Sequence, residues 1–247
     1  MLAVRRLGLD SNQETAARRF VFDDEPLESV LTGVTMPDGP NLLTPQNSAL
    51  ILIDHQPWVA FSVESIDRGL LINNVTGLAV AAKALDVPTI LTTVGGNRDI
   101  VKDPMIPQLA AVFPDQTPID RLSTNAWPDV KSAVNATGRR VLLMAGLWTG
   151  VCLAQTALSA LSDGYTVFFV SDCSGDVSRE AHEDAKLRMI QAGATPITWI
   201  SVAAEWTPDY STAERHAVNP GLIERGSGVG LAVEYLRANF ESFSGKS

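Results

Sequence analysis

Continuous apolar runs alternate with segments of helical periodicity along most of this chain. Residues 49–53, 141–145 and 167–170 are each apolar throughout. Runs of this kind are typical of strands that are covered on both faces, as in parallel sheets. After the first run, apolar residues recur every three or four positions, and this spacing predicts a helix over residues 66–85.

The same alternation continues to about residue 201. Strands are predicted at 49–53, 89–94, 117–120, 141–145, 167–170 and 197–201, and helices at 66–85, 107–112, 128–135, 151–161 and 178–191. Strands separated by helices form βαβ units, whose crossovers are right-handed. The predicted fold is therefore of the α/β class, with a parallel, doubly wound sheet of about six strands and helices on both faces.

The two ends of the chain differ in pattern from its middle. Residues 1–45 carry many charges and end in a segment rich in Gly and Pro, so we interpret them as an N-terminal extension or arm. Residues 46–207 hold the predicted α/β domain. Residues 208–247 form a C-terminal extension in which a polar, irregular segment precedes a helix near 229–240. We expect this extension to make contacts between subunits.

Composition and charge narrow the possible partners. The 247 residues are 45% hydrophobic and 19% charged, an ordinary globular mixture. The net charge of −9 disfavours binding to phosphate backbones and anionic membranes. No apolar run reaches the roughly 18 residues that cross a bilayer. Cys152 and Cys173 cannot build a disulfide framework, so a reducing, cytoplasmic compartment is expected.

Three chemically different side chains follow predicted strands. Asp54 follows the first strand, Arg121 the third, and Cys152 lies at the start of the helix after the fourth. Ligands of open parallel sheets bind at the carboxyl ends of the strands. The amides and dipole of a helix N-terminus favour a thiolate and can stabilise an oxyanion. We therefore expect a carboxylate, a cation and a thiol at one edge of the sheet.

Each of these residues also has a simpler structural interpretation. Cys152 could fill a contact between helix and sheet, Asp54 could end a strand or cap a helix, and Arg121 could be a solvated surface residue. Motifs for other chemistries are absent from the sequence: there is no Gly-x-Gly-x-x-Gly after the first strand, no Walker motif and no Gly-x-Ser-x-Gly. The three histidines lack metal-ligand spacing, so neither a cofactor nor a metal is expected.

Several motifs together resemble the isochorismatase-like cysteine hydrolases. They are Ile-Leu-Ile-Asp-His-Gln at 51–56, Ala-Gly-Leu-Trp-Thr-Gly-Val-Cys at 145–152, Ser-Asp-Cys-Ser-Gly at 171–175 and Glu-Ala-His-Glu at 180–183. The Asp-His-Gln triplet and Asn-Ala-Trp at 125–127 are most similar to the YcaC-like subgroup. The resemblance extends over about residues 49–206, and it is specific through the order and spacing of the motifs.

The resemblance implies a three-layer αβα fold of Rossmann-like topology and a catalytic triad of Asp, Lys and Cys. Most members hydrolyse the C–N bonds of amides. By position, Asp54 is the implied general base and Cys152 the implied nucleophile. The bond between Leu147 and Trp148 matches the cis peptide of the family, which turns the amides of Trp148 and Cys152 toward the substrate carbonyl oxygen as an oxyanion hole.

This sequence departs from the family pattern at several places, and two of them bear on the chemistry. Arg121 stands where the family has its lysine, and arginine can stabilise Asp54 but cannot shuttle a proton. The metal-binding Asp-x-His of some relatives is replaced by Asp54-His55-Gln56, so no required metal is expected. Five residues near these motifs are predicted to contact substrate: Gln56, Trp58, Asn125, Trp127 and Thr149. The tryptophans are equally credible as core residues.

Two functions remain open at this point. The first is a cysteine-dependent hydrolase that cleaves the amide bond of a small molecule through a thioester, in a chain that forms homo-oligomers. The second is a non-catalytic, oligomeric binding protein that keeps the fold, which the missing lysine motivates. A depressed pKa of the Cys152 thiol would favour the first function, and a normal, unreactive thiol would favour the second.

Overall fold

A computed structural model of the chain describes residues 42–96, 103–226 and 228–239. The predicted N-terminal extension therefore lies almost wholly outside the described residues, and its role as an arm stays a prediction. In the part of the chain that is described, no helix is both long and apolar enough to cross a membrane.

Six parallel strands form one sheet in the order β3-β2-β1-β4-β5-β6. They are β1 (Ser48–Ile53), β2 (Thr89–Val94), β3 (Ile119–Arg121), β4 (Val141–Gly146), β5 (Thr166–Val170) and β6 (Thr195–Ile197). The order reverses direction at β1 and β4, which are neighbours in the sheet. This is the doubly wound topology that binds ligands at the switch point between such strands, and it confirms the predicted fold class.

Helices cover both faces of the sheet. They are α1 (Pro57–Phe61), α2 (Arg68–Ala84), α3 (Pro107–Val112), α4 (Trp127–Thr137), α5 (Ala154–Ser162), α6 (Arg179–Gln191), α7 (Trp199–Trp206), α8 (Ala213–Arg225) and α9 (Gly228–Asn239). Successive residues of β1 point to opposite faces: Leu50 and Leu52 belong to one core cluster, and Ile51 and Ile53 to the other. The apolar run of β1 is thus buried on both sides, and the layers are αβα.

The strand predicted at 197–201 is wrong in position and partly in type. Strand β6 ends at Ile197, and helix α7 begins two residues later at Trp199. Trp199, Val202 and Trp206 are buried at helical spacing, so their burial needs a helix. A short apolar segment has no periodicity that separates strand from helix by itself, and tertiary packing decides the outcome here.

The segment after Pro208, predicted to be irregular, contains helix α8. The side chain of Thr212 caps this helix by accepting a hydrogen bond from the Arg215 amide. Val218 and Leu222 on α8 are buried in the same core cluster as helix α2. The polar composition hid a single buried stripe. Helix α9 agrees with the predicted terminal helix, and the role of this region in subunit contacts stays a prediction.

Candidate active site

Asp54 and Arg121 form a buried ion pair at the carboxyl ends of their strands. Asp54 Oδ2 accepts a hydrogen bond from Arg121 Nη2 at 2.6 Å, and Asp54 Oδ1 accepts one from Thr92 Oγ1 at 2.8 Å. The two charged side chains are 0% and 1% exposed. Arg121 Nη1 also donates to the Ser123 carbonyl at 2.9 Å. Arg121 is therefore not a solvated surface arginine, because its charge balances that of a carboxylate shielded from water.

Cys152 completes this group from the other side of the switch point. Its thiol lies close enough to the Asp54 carboxylate and the Arg121 guanidinium for both charges to act on it. Burial raises the pKa of the Cys152 thiol to about 12, and the negative charge of Asp54 adds to this effect, while Arg121 opposes it. The three residues that the sequence analysis placed at one edge of the sheet thus meet in one site.

The surroundings of Cys152 do not favour the thiolate that its position at a helix N-terminus predicts. A helix N-terminus does favour a negative charge, but here desolvation and the neighbouring carboxylate outweigh it. The raised pKa of the Cys152 thiol therefore favours its protonated form. The sequence could not reveal this, because the burial of a cysteine depends on the packing around it.

The backbone before Cys152 is held tightly. The peptide bond between Leu147 and Trp148 is cis, as the resemblance implies. The amide of Leu147 donates to the Ile53 carbonyl at 3.0 Å, which joins the ends of β4 and β1. A Cβ at Gly146 would lie 2.8 Å from the Cβ of Ile53, so only glycine allows this close approach.

Residues beyond β5 fix the turn that carries the cysteine. The Gly150 amide donates to Asp176 Oδ2 at 2.7 Å, and Thr149 Oγ1 hydrogen-bonds with His182 Nδ1 at 2.8 Å. The first turn, Thr149–Leu153, is a π-helix, and α5 continues from it. The predicted helix start at residue 151 falls within this turn, so Cys152 does lie at the beginning of the helical segment.

A cavity of about 150 Å³ opens onto Cys152. Its lining residues are Trp58, Val59, Val94, Thr124, Leu147, Trp148, Val151 and Cys152. The rings of Trp58 and Trp148 meet edge to face with 5.9 Å between their centroids, and Trp148 Nε1 donates to Ser62 Oγ at 2.8 Å. A small molecule can therefore reach the sulfur along largely apolar walls.

Trp58 is the only one of the five predicted substrate contacts that lines this cavity. Gln56 is fully buried, and its side chain accepts from the Val94 amide at 2.7 Å and donates to the Asp103 carbonyl at 2.6 Å. These bonds attach the end of β2 to the segment at Asp103. The structure thus gives Gln56 a structural role, because both ends of its amide are used within the protein.

Asn125, Trp127 and Thr149 also lie away from the cavity lining. Asn125 Nδ2 donates to Ser159 Oγ at 2.9 Å, and its Oδ1 caps helix α4 by accepting from the Trp127 amide at 3.0 Å. The Trp127 indole is buried and donates to Asp163 Oδ2 at 2.5 Å. The hydroxyl of Thr149 faces His182, as described above. As substrate contacts these three residues stay predictions, and in this structure each side chain hydrogen-bonds within the protein.

The sequence analysis missed several residues that shape the site. Thr92 orients the Asp54 carboxylate, while Val94, Thr124 and Val151 line the cavity. Thr92 did carry a signal, because a hydroxyl inside an otherwise buried strand needs a partner. The valines carried none, since nothing in their sequence context separates a cavity wall from a core residue. Within the described ranges, no group of three or more His, Cys, Asp or Glu side chains could hold a metal ion.

The chain matches a known protein family and a relative in Escherichia coli. The isochorismatase domain matches residues 48–201 of this chain. The Escherichia coli protein named "Probable hydrolase YcaC" is 40% identical over 174 residues, covering 68% of this chain and 81% of the relative.

Two solved structures are similar over most of the chain. YcaC from Pseudomonas aeruginosa, solved with hexane-2,5-diol and covalent acrylamide, has a TM-score of 0.75 and 32% identity. YcaC from Escherichia coli, described as an octameric hydrolase of unknown specificity, has a TM-score of 0.74 and 35% identity. Each comparison covers 80% of this chain and 98% of the other.

Proposed function

Because this chain belongs to the isochorismatase family of hydrolases, and to its YcaC-like members, we propose that it cleaves the C–N bond of an amide through a thioester on Cys152. One observation carries the proposal: Cys152 lines an open cavity, and its thiol is near enough to the buried Asp54 carboxylate for the two to interact. A nucleophile beside a general base, with that base oriented by a third group, is the arrangement that nucleophilic catalysis needs.

The first half of the reaction forms the thioester. Asp54 accepts the thiol proton as the sulfur attacks the amide carbonyl carbon, which produces a tetrahedral oxyanion. The backbone amides of Trp148 and Cys152 donate to that oxyanion. Asp54 then gives its proton to the leaving nitrogen, the C–N bond breaks, and ammonia or an amine departs. The acyl group stays on the sulfur of Cys152.

The second half returns the enzyme to its starting state. Asp54 removes a proton from a water molecule that attacks the thioester carbonyl. The C–S bond breaks, the carboxylic acid leaves, and the sulfur regains a proton from Asp54. Arg121 takes no part in proton transfer, because a guanidinium does not release its proton at neutral pH. Its role is to compensate the charge of Asp54 while the proton moves.

The raised pKa of the thiol determines how the attack begins. A thiol with a pKa of about 12 is almost entirely protonated at neutral pH, so no preformed thiolate attacks. Proton transfer to Asp54 must therefore accompany the formation of the C–S bond. This makes the general base essential, whereas an enzyme with a preformed thiolate would depend on it less.

The relatives support two further parts of the proposal. A Pseudomonas aeruginosa relative carries acrylamide covalently, so that protein reacts with a small amide-bearing electrophile. The Escherichia coli relative is an octamer, and we propose that this chain also forms homo-oligomers. Two free cysteines, Cys152 and Cys173, fit the proposal of a reducing, cytoplasmic compartment.

Ammonia release from a panel of small amides tests the proposed function. Cys152→Ala should lower the rate by at least about a thousandfold, because it removes the nucleophile. Cys173→Ala is the matched control, since this second buried cysteine lies outside the cavity lining and its loss should leave the rate within a few fold. Undiminished ammonia release by Cys152→Ala would reject the mechanism.

The second candidate is a non-catalytic, oligomeric binding protein. Two observations favour it: the thiol pKa is raised instead of lowered, and Arg121 replaces the lysine of the family. If no amide is turned over while Cys152 remains accessible to a small alkylating reagent, this candidate replaces the first.

A further inference from the structure

We infer that the site accepts a small, uncharged carboxamide whose acyl group is apolar and contains up to about six non-hydrogen atoms. This inference deepens the proposed function and rests on it. It follows from the walls of the cavity, from its size and from the way the two charged residues beneath it are used.

The cavity walls are apolar. Six of its eight lining residues are apolar, and the other two are Thr124 and the nucleophile Cys152. Within the described ranges, no charged side chain belongs to this lining. An apolar acyl group gains free energy by leaving water for such a surface, at roughly 25 cal/mol for each Å² that becomes buried.

Both terminal nitrogens of the Arg121 guanidinium are already engaged, and among the described residues only its buried Nε lacks a hydrogen-bond partner. Arg121 lies beside Cys152, but one end of its guanidinium binds Asp54 at 2.6 Å and the other binds the Ser123 carbonyl at 2.9 Å. A substrate carboxylate in the cavity would therefore lose its hydration without gaining an ion pair, and that loss is strongly unfavourable.

The cavity is partly open, so its size limits the part of the acyl group that can be buried. Ligand pockets commonly enclose about 300–1,000 Å³, whereas this cavity encloses about 150 Å³. An apolar cavity of about that volume in another protein binds benzene, which has six carbon atoms. Short aliphatic or small aromatic acyl groups are therefore the expected occupants.

Charge selectivity can be measured without turnover. Iodoacetamide and iodoacetate are similar in size and transfer similar groups to a thiol, but only the second is an anion. After each rate is divided by its rate with a free small thiol at the same pH, we expect Cys152 to react at least about tenfold faster with iodoacetamide, because the cavity strips water from the anion. Equal normalised rates would overturn the inference.

Size selectivity is measured by ammonia release across a series of primary amides from acetamide to octanamide, with succinamate as the charged partner of pentanamide. We expect kcat/KM to rise with each carbon that the cavity holds and then to fall, and succinamate to be at least about tenfold poorer than pentanamide. A flat series, or equal rates for the two partners, would overturn the inference.

Two cavity variants show that the walls set this preference. Val94→Ala and Val151→Ala each remove two methyl groups from the lining, so the preferred chain should become longer by about one or two carbons. Val141→Ala is the matched control, because Val141 is also half-buried but begins β4 at the opposite edge of the sheet. An unchanged optimum in both cavity variants would contradict the assignment.

The outcomes separate this inference from the proposed function. If succinamate is turned over as fast as pentanamide and Cys152→Ala abolishes both reactions, the proposed function stands and the inference fails. If Cys152→Ala leaves ammonia release from every amide unchanged, the proposed function fails and the inference fails with it.

Discussion

The two cysteines of this chain occupy similar positions but differ in their surroundings. Each follows a strand of the sheet, each lies near an aspartate, and burial raises the pKa of both thiols. Cys152 contacts Asp54, which is paired with Arg121, and it lines a cavity. Cys173 contacts Asp172 and is 0% exposed.

The comparison teaches what distinguishes a candidate nucleophile from a core cysteine. A depressed pKa does not distinguish these two, since both are raised. The difference lies in access and in the state of the neighbouring carboxylate: Asp54 is held by a cation and by Thr92, whereas Asp172 Oδ1 accepts from the Trp199 amide at the start of α7. Asp54 is a proton acceptor near an open cavity, where a substrate can reach the thiol. Asp172 is a carboxylate that holds the start of a helix, so its role is structural.

Replacing each of the two carboxylates with an amide should give the largest difference between the two cysteine sites. Asp54→Asn removes the proposed general base, so we expect amide hydrolysis to fall by at least about a thousandfold. Asp172→Asn keeps an oxygen that can accept from the Trp199 amide, and turnover should stay within a few fold. Rates of ammonia release measure both. Equal losses in the two variants would contradict the assigned roles.

Removing the positive charge of Arg121 should lower the stability of the folded protein, because Asp54 is buried beside it. Arg121→Leu leaves a fully buried carboxylate without its partner, which costs about 3–5 kcal/mol of unfolding free energy. Arg121→Lys keeps a positive charge and should recover much of that loss. Urea unfolding measures both variants at pH values where the carboxylate is ionised. A loss below about 1 kcal/mol in Arg121→Leu would show that the pair contributes little.

The stability of the folded protein should depend on pH through His55, which contacts the backbone of Cys173. His55 Nε2 hydrogen-bonds with the Cys173 carbonyl at 2.9 Å, and burial lowers the pKa of His55 to about 4. The unfolded chain therefore binds a proton between about pH 6.5 and pH 4 that the folded chain does not, so stability falls as the pH falls through this window. The expected contribution at about pH 5 is about 2 kcal/mol.

Urea unfolding at about pH 7 and pH 5 measures this contribution. His55→Asn should lose that part of the pH dependence, whereas the exposed His216→Asn should keep it. Equal pH dependence in the wild type and in His55→Asn would mean that His55 titrates normally in the folded protein.

The smallest expected effect is on the thiol of Cys152 itself. The charge of Asp54 and its hydrogen bond both raise the pKa of this thiol, so Asp54→Asn should move its ionisation to lower pH even as turnover is lost. Ultraviolet absorbance of the thiolate during a pH titration records the change, with Cys152→Ala as the blank. A shift to higher pH would show that Arg121 needs Asp54 to favour the thiolate.

The sequence predicted the parts of this fold that depend on strand burial. Uninterrupted apolar runs predicted β1, β4 and β5. The ends of the first two runs placed Asp54 and Cys152 at the same edge of the sheet. This succeeded because a parallel sheet buries both faces of its strands and brings their carboxyl ends together. Helix α7 escaped, because its short apolar segment fits a strand equally well until packing selects one face.

Side-chain direction limited the prediction of the site. Gln56 and Trp58 lie two residues apart after β1. The side chain of Gln56 hydrogen-bonds with backbone groups, whereas Trp58 lines the cavity. Trp127 is buried against Tyr165, with 5.1 Å between the ring centroids. No pattern of residue types records which way a side chain points once a strand has ended. The raised pKa of the Cys152 thiol was also not predictable, because the burial that raises it depends on the packing around the sulfur.

The central claim is that the sulfur of Cys152 carries the acyl group during turnover. Acid quenching of the wild-type protein during hydrolysis of a short neutral amide, followed by peptide mass spectrometry, tests it most directly. The account predicts an added acyl mass on the peptide that contains Cys152 and none on the peptide that contains Cys173. Steady ammonia release with no acylated Cys152, or with the acyl group on another residue, would contradict it.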